Sequence, residues 1–406
     1  MSKTDDAQPV TRPGFSALKP TPFSQYAGRA REVVGAAIKR AEESLAGSLR
    51  GITTDGSLRA GLFPIAETGV STQPIIDAAD NLLRALSPSE RETASFDISD
   101  DQAWRSWHNM HFFFMRHGLL LHTMSEAKRE KVYGLMRATL SAPGLENARD
   151  VMRLNHHAGE LTGRHEEFDE LYYWISLFGR PSASEPWGWQ IDGHHLSINC
   201  LILGDQIVLT PDFRGTEPVL AKSGKYAGTR VFAEEEANGL ELMQSFDSGQ
   251  RLAATISDAP PREVITTAQV DNLEIGRDGL AFDRLSKHQQ DRLVQLAALY
   301  TSRLRPGHAE VRLDEVKRHL NETIFAWMGG CENDSAFYYR IMSPVILIEF
   351  DHMVGIIYDN REPSRRHVHT IVRTPNGNDY GRSLLLDHYR RHDHSHAGSR
   401  HVKGLE

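Results

Sequence analysis

Apolar residues recur at helical spacing through the first part of the chain. Ala27, Val33, Val34, Ala37, Ile38, Ala41 and Leu45 form a stripe that predicts a helix over residues 24–47. Ile75, Ile76, Ala79, Leu82, Leu83 and Leu86 predict a second over residues 72–86. Ser87, Pro88 and Glu90 then read as a capping box with proline at the first helical position. Ser125 is expected to cap a helix that runs to Leu140 and is ended by Ser141, Pro143 and Gly144, and another helix is expected over residues 145–162. Residues 23–180 therefore read as mainly helical. The Pro-rich residues 1–22 read as a disordered or wrapping arm.

The pattern changes after the segment 181–186, and residues 181–391 read as an α+β part. Residues 189–200 and 206–210 alternate or are β-branched around Gly204 and Asp205, which predicts a hairpin. Residues 234–245 read as helical. Ser286 and Gln289 form a second capping box, opening a helix to about residue 304, and a further helix is expected over residues 314–322. Strands are expected at 323–327, 336–341, 345–351 and 367–373, and a final helix at 382–391. Neither an internal repeat nor a glycine-rich nucleotide loop is present. The fold class expected is α+β: a helical N-terminal part packed on a mainly antiparallel β-sheet with further helices.

Composition limits the function. The 406 residues are 40% apolar and 25% charged, with a net charge of -8 and a pI near 6.2. That balance disfavours nucleic-acid partners, since an acidic surface displaces few phosphate counterions. The apolar runs are too short to span a bilayer, and residues 1–14 carry no apolar signal core, so no membrane partner is expected. Cys200 and Cys331 are the only cysteines, which suits a reducing cytoplasm. A small-molecule substrate is the expected partner, and a homodimer is compatible with the composition.

Histidine is over-used, with 20 residues. Five lie between His388 and His401, where residues 392–406 read as a flexible tail in which His394, His396 and His401 bind metal only adventitiously. The others of interest fall in three strand-like segments: 187–199 with His194 and His195, 348–352 with Glu349, Asp351 and His352, and 367–373 with His367, His369 and Arg373. Side chains on a strand alternate faces. His195, Ser197 and Asn199 then share a polar face, whereas His194, Leu196, Ile198 and Cys200 share an apolar one. Glu349 and Asp351 share a face, as do His367 and His369. If the last two strands pair, Glu349 is expected opposite His369.

Polar groups on buried strands are costly unless paired, and a metal ion is a common partner for neutral imidazole. His195, His369 and Glu349 are the expected ligands of a divalent transition metal, zinc or iron, since two histidines and one carboxylate from different strands form a recurrent ligand set. His352 and His388 are reserves. Asp379 is expected to orient a ligand histidine from behind, with His388 in the same supporting layer. His194 and Asp351 are candidate bases, and Arg373 a catalytic cation. Trp187, Trp189, Arg214 and Asn199 are candidate substrate contacts: flat walls, a carboxylate-binding fork and an amide. The competing reading is that these groups bond one another and stiffen the sheet. His108, His111 and the pair His156-His157 are assigned no role.

These segments also resemble a known group. The motifs are Tyr172 to Pro181, the Trp187-Gly-Trp-Gln-x-x-Gly-His194-His195-Leu-Ser-Ile-Asn199 run and Thr210-Pro-x-Phe-x-Gly-x-Glu-Pro218. They continue in Phe325-Ala-Trp-x-Gly329, Tyr338 to Ile341, Ile348 to Asp351 and His367-x-His369-Thr-x-x-Arg373-x-Pro-x-x-Asn-Asp379-Tyr-Gly381. Over residues 104–389 the chain is similar to domain-of-unknown-function family 3500, an uncharacterised bacterial and fungal group. The resemblance implies no settled activity. It implies export for many members, from which this chain departs in lacking a signal core, and the histidine-rich tail is a further departure.

The function expected is a metal-dependent enzyme acting hydrolytically on a small carboxylated or aromatic molecule. The alternatives are a non-haem Fe(II) oxygenase with two histidines and one carboxylate, and a non-catalytic small-molecule or metal-binding protein.

Overall fold

The computed structural model describes residues 8–10 and 15–391. Residues 1–7, 11–14 and 392–406 lie outside the described residues, and with them most of the expected arm and the tail with His394, His396 and His401. The capping boxes form as the sequence predicts. Ser87 Oγ accepts from Glu90 N at the start of helix Pro88–Ala94, and Ser286 Oγ accepts from Gln289 N at the start of helix Lys287–Thr301. Ser141 caps helix Ala142–Thr162, its Oγ accepting from Gly144 N at 3.0 Å, and Gly163 ends it at φ 70°.

The protein is α+β, and the helices pack on one 13-stranded sheet. Its strands are β1 (Ser95–Phe96), β2 (Leu119–Leu120), β3 (Tyr173–Phe178), β4 (Trp187–Gly193), β5 (Leu196–Leu203), β6 (Gln206–Val208) and β7 (Asp212–Thr216). They continue as β8 (Thr255–Ser257), β9 (Leu280–Ala281), β10 (Ile324–Gly329), β11 (Phe337–Met342), β12 (Leu347–His352) and β13 (Val368–Arg373). The spatial order is β1-β3-β4-β5-β7-β13-β12-β11-β10-β8, with β2 beside β3, β6 beside β5 and β9 beside β10. Only the β1–β3 and β8–β10 pairs are parallel. β3 lies ahead of residue 181, so both parts of the chain contribute strands. No helix among the described residues is long and apolar enough to cross a membrane.

The two faces of the sheet differ. One carries Trp189, Ile191, Ile198, Cys200, Ile348 and Phe350, which form a single apolar cluster with Val151 and Leu154 of helix Ala142–Thr162 and with Leu293 and Leu296 of helix Lys287–Thr301. That burial is the main stabilising term of the fold. The other face carries Gln190, Asp192, Ser197, Asn199, Glu349, Asp351, His369 and Arg373, all buried. It is covered by irregular segments around residues 104–116 and 262–271, whose backbone groups meet the strand side chains. Gln190 Nε2 donates to Trp104 O at 2.9 Å, Asp192 Oδ1 accepts from His108 N at 3.2 Å, and Arg373 donates to Thr266 O and Thr267 O. Buried polar groups are tolerable only when bonded in this way.

Candidate metal centre

The centre forms where four strands end together. β4 and β5 pair in register from Trp187 against Ile202 to Gly193 against Leu196, leaving His194 and His195 as a two-residue turn. The two histidines are thus turn residues and do not continue the alternation of the strand. His195 takes the left-handed region at φ 62°, a conformation that costs about 1–3 kcal/mol outside glycine and concentrates at functional sites. Its ring stacks on His194 with centroids 3.8 Å apart. The His194 ring is held by Nδ1, which donates to Asn155 Oδ1 at 2.7 Å. The Asn155 amide is oriented for this, because its Nδ2 donates to Asp169 O.

Two strands away, His367 and His369 project to one side at the start of β13. Gly215 of β7 lies across from His369. A Cβ there would sit 2.6 Å from His369 Cδ2 and 3.2 Å from His195 Cδ2, so only a bare Cα lets the imidazoles close in. Gly215→Ala is therefore expected to push the rings apart and weaken metal binding by at least about 10-fold, no less than loss of an outer partner does. Titration of the variant with Zn(II) against a chromophoric chelator reads this directly.

The three rings converge through Nε2. His367 Nε2 lies 3.1 Å from His195 Nε2 and 3.0 Å from His369 Nε2, and the potential ligand atoms of all three lie within 4.8 Å of one another. The opposite nitrogens point outward. His367 Nδ1 is 2.7 Å from Val354 O, and His369 Nδ1 is 2.7 Å from Glu263 Oε1. A carbonyl and a carboxylate can only accept, so both Nδ1 atoms carry a hydrogen, and each Nε2 presents a lone pair when its ring is neutral. Two facing lone pairs at 3.0 Å repel unless a cation or proton lies between them. Metal–nitrogen bonds of about 2.0–2.1 Å place neighbouring donors about 3.0–3.4 Å apart in octahedral or tetrahedral geometry, which matches these separations. Burial, reinforced by the neighbouring imidazoles, pushes His194, His195 and His367 well below the ordinary histidine range, which keeps them in the neutral form that ligates.

Asp351 stands next to the cluster on β12, outside the set of ligand atoms that converge. It is the cross-strand partner of His369, a pairing that brings side-chain bases to about 4.5–5.5 Å. Both carboxylate oxygens are buried. Neither makes a full hydrogen bond among the described residues, although the backbone N–H of His352 favours the charged form. Burial, then Glu263 and Glu349, raise its pKa well above the carboxylate range. Glu263, with its side chain 33% exposed, reaches from His369 toward solvent.

Other expected residues serve the scaffold. Glu349 is no ligand: β12 and β13 pair two residues out of the expected register, so it faces Ile371. Its oxygens accept from Ile265 N at 2.6 Å, Thr266 N at 2.9 Å, Thr266 Oγ1 and Tyr338 Oη at 2.8 Å. Arg373 is fully buried and its N–H groups are spent on Thr266 O, Thr267 O, Asp271 and Asp379, leaving none for substrate. Asp379 accordingly orients an arginine and not a histidine. Arg214 lies on the apolar face, bonded to Asp212, Gly144 O and Asn147. Trp187 and Trp189 are fully buried in the same core. Asn199 is held by Gln190 and Pro211 O. His352 points to the helix-covered face, where Glu236 Oε1 lies 2.9 Å from Nε2; with Arg365 it holds Glu236 down to about 2, against the opposing effect of burial. His388 sits on helix Arg382–Arg391 against Glu185 and not behind a ligand.

His367 and Glu263 are residues of the cluster and its surround that sequence reasoning passed over. The His-x-His spacing carried the signal for His367, since alternation puts both rings on one face. Nothing flagged Glu263, a loop residue separated from His369 by 106 positions. His111, assigned no role, lies 5.6 Å from the His194 ring and 2.9 Å from Glu167.

Fold and site together define an α+β protein with a buried three-histidine cluster at one end of its sheet. The chain belongs to a protein family of unknown function, DUF3500, whose model matches residues 68–382 and so includes the whole cluster. No curated protein and no solved structure matches the chain.

Proposed function

We propose that His195, His367 and His369 hold one divalent transition-metal ion, zinc or iron, and that the centre performs metal-dependent hydrolysis of a small molecule. The observation that carries this reading is the pair of Nε2 lone pairs facing each other at 3.0 Å, with both Nδ1 hydrogens spent elsewhere. The unpartnered Asp351 carboxylate beside them supports it, because a cation would supply the missing charge. Three histidines with an open fourth position form a donor set of catalytic zinc sites, where the ion acidifies bound water and polarises a carbonyl. Glu263 fixes the tautomer and orientation of His369, and Val354 O does so for His367. The His194 ring buttresses His195. Asp351, the cross-strand neighbour of His369, is the group we assign to take a proton from an attacking water and return it to a leaving group.

A cavity of about 700 Å³ is lined by Pro218 and Arg366, the sequence neighbours of Glu217 and His367, and by none of the three histidines themselves. Lys222, Arg230, Arg365 and Arg366 line it against Glu236 and Asp334. A cationic cavity in a chain of net charge -8 supports a carboxylated substrate. A second reading, an Fe(II) oxygenase, requires Asp351 to turn its carboxylate toward two of the histidines, whose ligand atoms converge without it.

The test uses protein stripped by chelator and reloaded anaerobically with Zn(II) or Fe(II). It is assayed on a panel of carboxylated esters, lactones and amides, and separately for oxygen uptake. The zinc form is expected to hydrolyse a member of the panel, and Asp351→Asn to retain metal while losing about 10²–10⁴-fold in rate. Oxygen uptake by the iron form alone would favour the second reading. Neither activity in either form would reject both.

A further inference from the structure

A second cavity, of about 400 Å³, lies at the opposite end of the same strands, lined by residues of the segments 53–59, 276–278 and 342–344. Its floor is Arg340 of β11, only 5% exposed. Its one hydrogen-bond partner among the described residues is Asp278 O, at a long 3.4 Å. The cross-strand neighbour of Arg340 is Glu349, but that carboxylate is turned to Ile265, Thr266 and Tyr338. A buried guanidinium without a carboxylate is costly unless something brings the countercharge.

Two buried hydroxyls line the same cavity. Ser343 Oγ accepts from Val345 N and Ile346 N, both at 3.2 Å, so both lone pairs are used and only its O–H remains to donate. Thr53 Oγ1 accepts from Gly56 N at 3.0 Å, which leaves its O–H available in the same way. The floor therefore offers donors: the fork of Arg340 and two hydroxyls. Arg59 and Arg277 stand at the rim with Asp55 and Asp278, and the Glu322 carboxylate there is held by Arg59 and His319.

We propose that this cavity is a binding site for a small organic anion, whose carboxylate or phosphate group is held by Arg340, Ser343 and Thr53. The volume lies in the range of small-molecule sites, and a planar fork beside hydroxyl donors suits either oxyanion. The site shares no residue with the histidine cluster and stands apart from the metal reading.

The full chain is melted with inorganic phosphate and, separately, with succinate, each against sodium chloride at matched ionic strength. At least one anion is expected to raise the Tm by about 2–4 °C, by mass action on the native state. A response to phosphate alone assigns a phosphoryl ligand, and one to succinate alone a carboxylate. Arg340→Met is expected to abolish the response. Arg340→Lys, which keeps the charge and the fold but not the fork, is expected to weaken the anion Kd by at least about 10-fold. His369→Ala is expected to respond as the parent does, so failure of the metal reading leaves this test intact. No rise above chloride with either anion, or an unchanged response in both Arg340 variants, would overturn the proposal.

Discussion

Replacing His367 by alanine is expected to abolish stoichiometric metal binding. The ring supplies the central Nε2, 3.1 Å from His195 and 3.0 Å from His369, so its loss leaves only two imidazole donors, His195 in the β4–β5 turn and His369 on β13. The loss should exceed the roughly 10–100-fold that follows removal of an outer partner, which is the effect expected for Glu263→Gln. A bound ion stabilises the native state by mass action, so the parent should melt higher with metal than with chelator. His367→Ala should melt alike in both. His396→Ala, in the histidine-rich tail, should keep the metal-dependent shift of the parent.

Glu349→Gln should produce the largest loss of stability, without involving metal. The carboxylate is fully buried and accepts from two backbone N–H groups, a threonine hydroxyl and a tyrosine hydroxyl. An amide keeps one acceptor and turns an N–H₂ group on donors that need an oxygen. Breaking such a buried set costs about 3–5 kcal/mol. It also releases the segment around Ile265 and Thr266, which carries Glu263 toward His369. Denaturant midpoints of parent and variant, each with and without chelator, separate the possibilities. A loss that chelator does not change fits a structural anchor. Unchanged stability of the metal-free protein with loss of metal-dependent stabilisation would make Glu349 a ligand after all.

The elements were legible because their signals are local. Helical stripes and capping boxes marked helices such as Gln73–Ala85 and Lys287–Thr301, and short aromatic, aliphatic and β-branched runs marked β11, β12 and β13. The centre was only half legible. His195 and His369 could be read from polar residues on buried strands. The register of β12 on β13 could not, because pairing depends on where each strand begins, and a two-residue offset exchanged Asp351 for Glu349 opposite His369. The turn at His194 and His195 was read as strand, because no Asn-Gly signal marks it and His195 itself takes the left-handed position. Arg373 and Arg214 invited a substrate role by residue type. Their partners lie in distant segments, such as Thr266 and Asp271 for Arg373 and Gly144 for Arg214, and no sequence spacing reveals them.

The most direct test is anaerobic elemental analysis of untagged protein ending at Arg391, which removes the adventitious histidines. One equivalent of zinc or iron in the parent, and none above background in the same protein carrying His367→Ala, is the predicted result. A parent without bound transition metal that also fails to take up one equivalent of added Zn(II) or Fe(II), or a His367→Ala variant that holds as much as the parent, would contradict a metal centre on His195, His367 and His369.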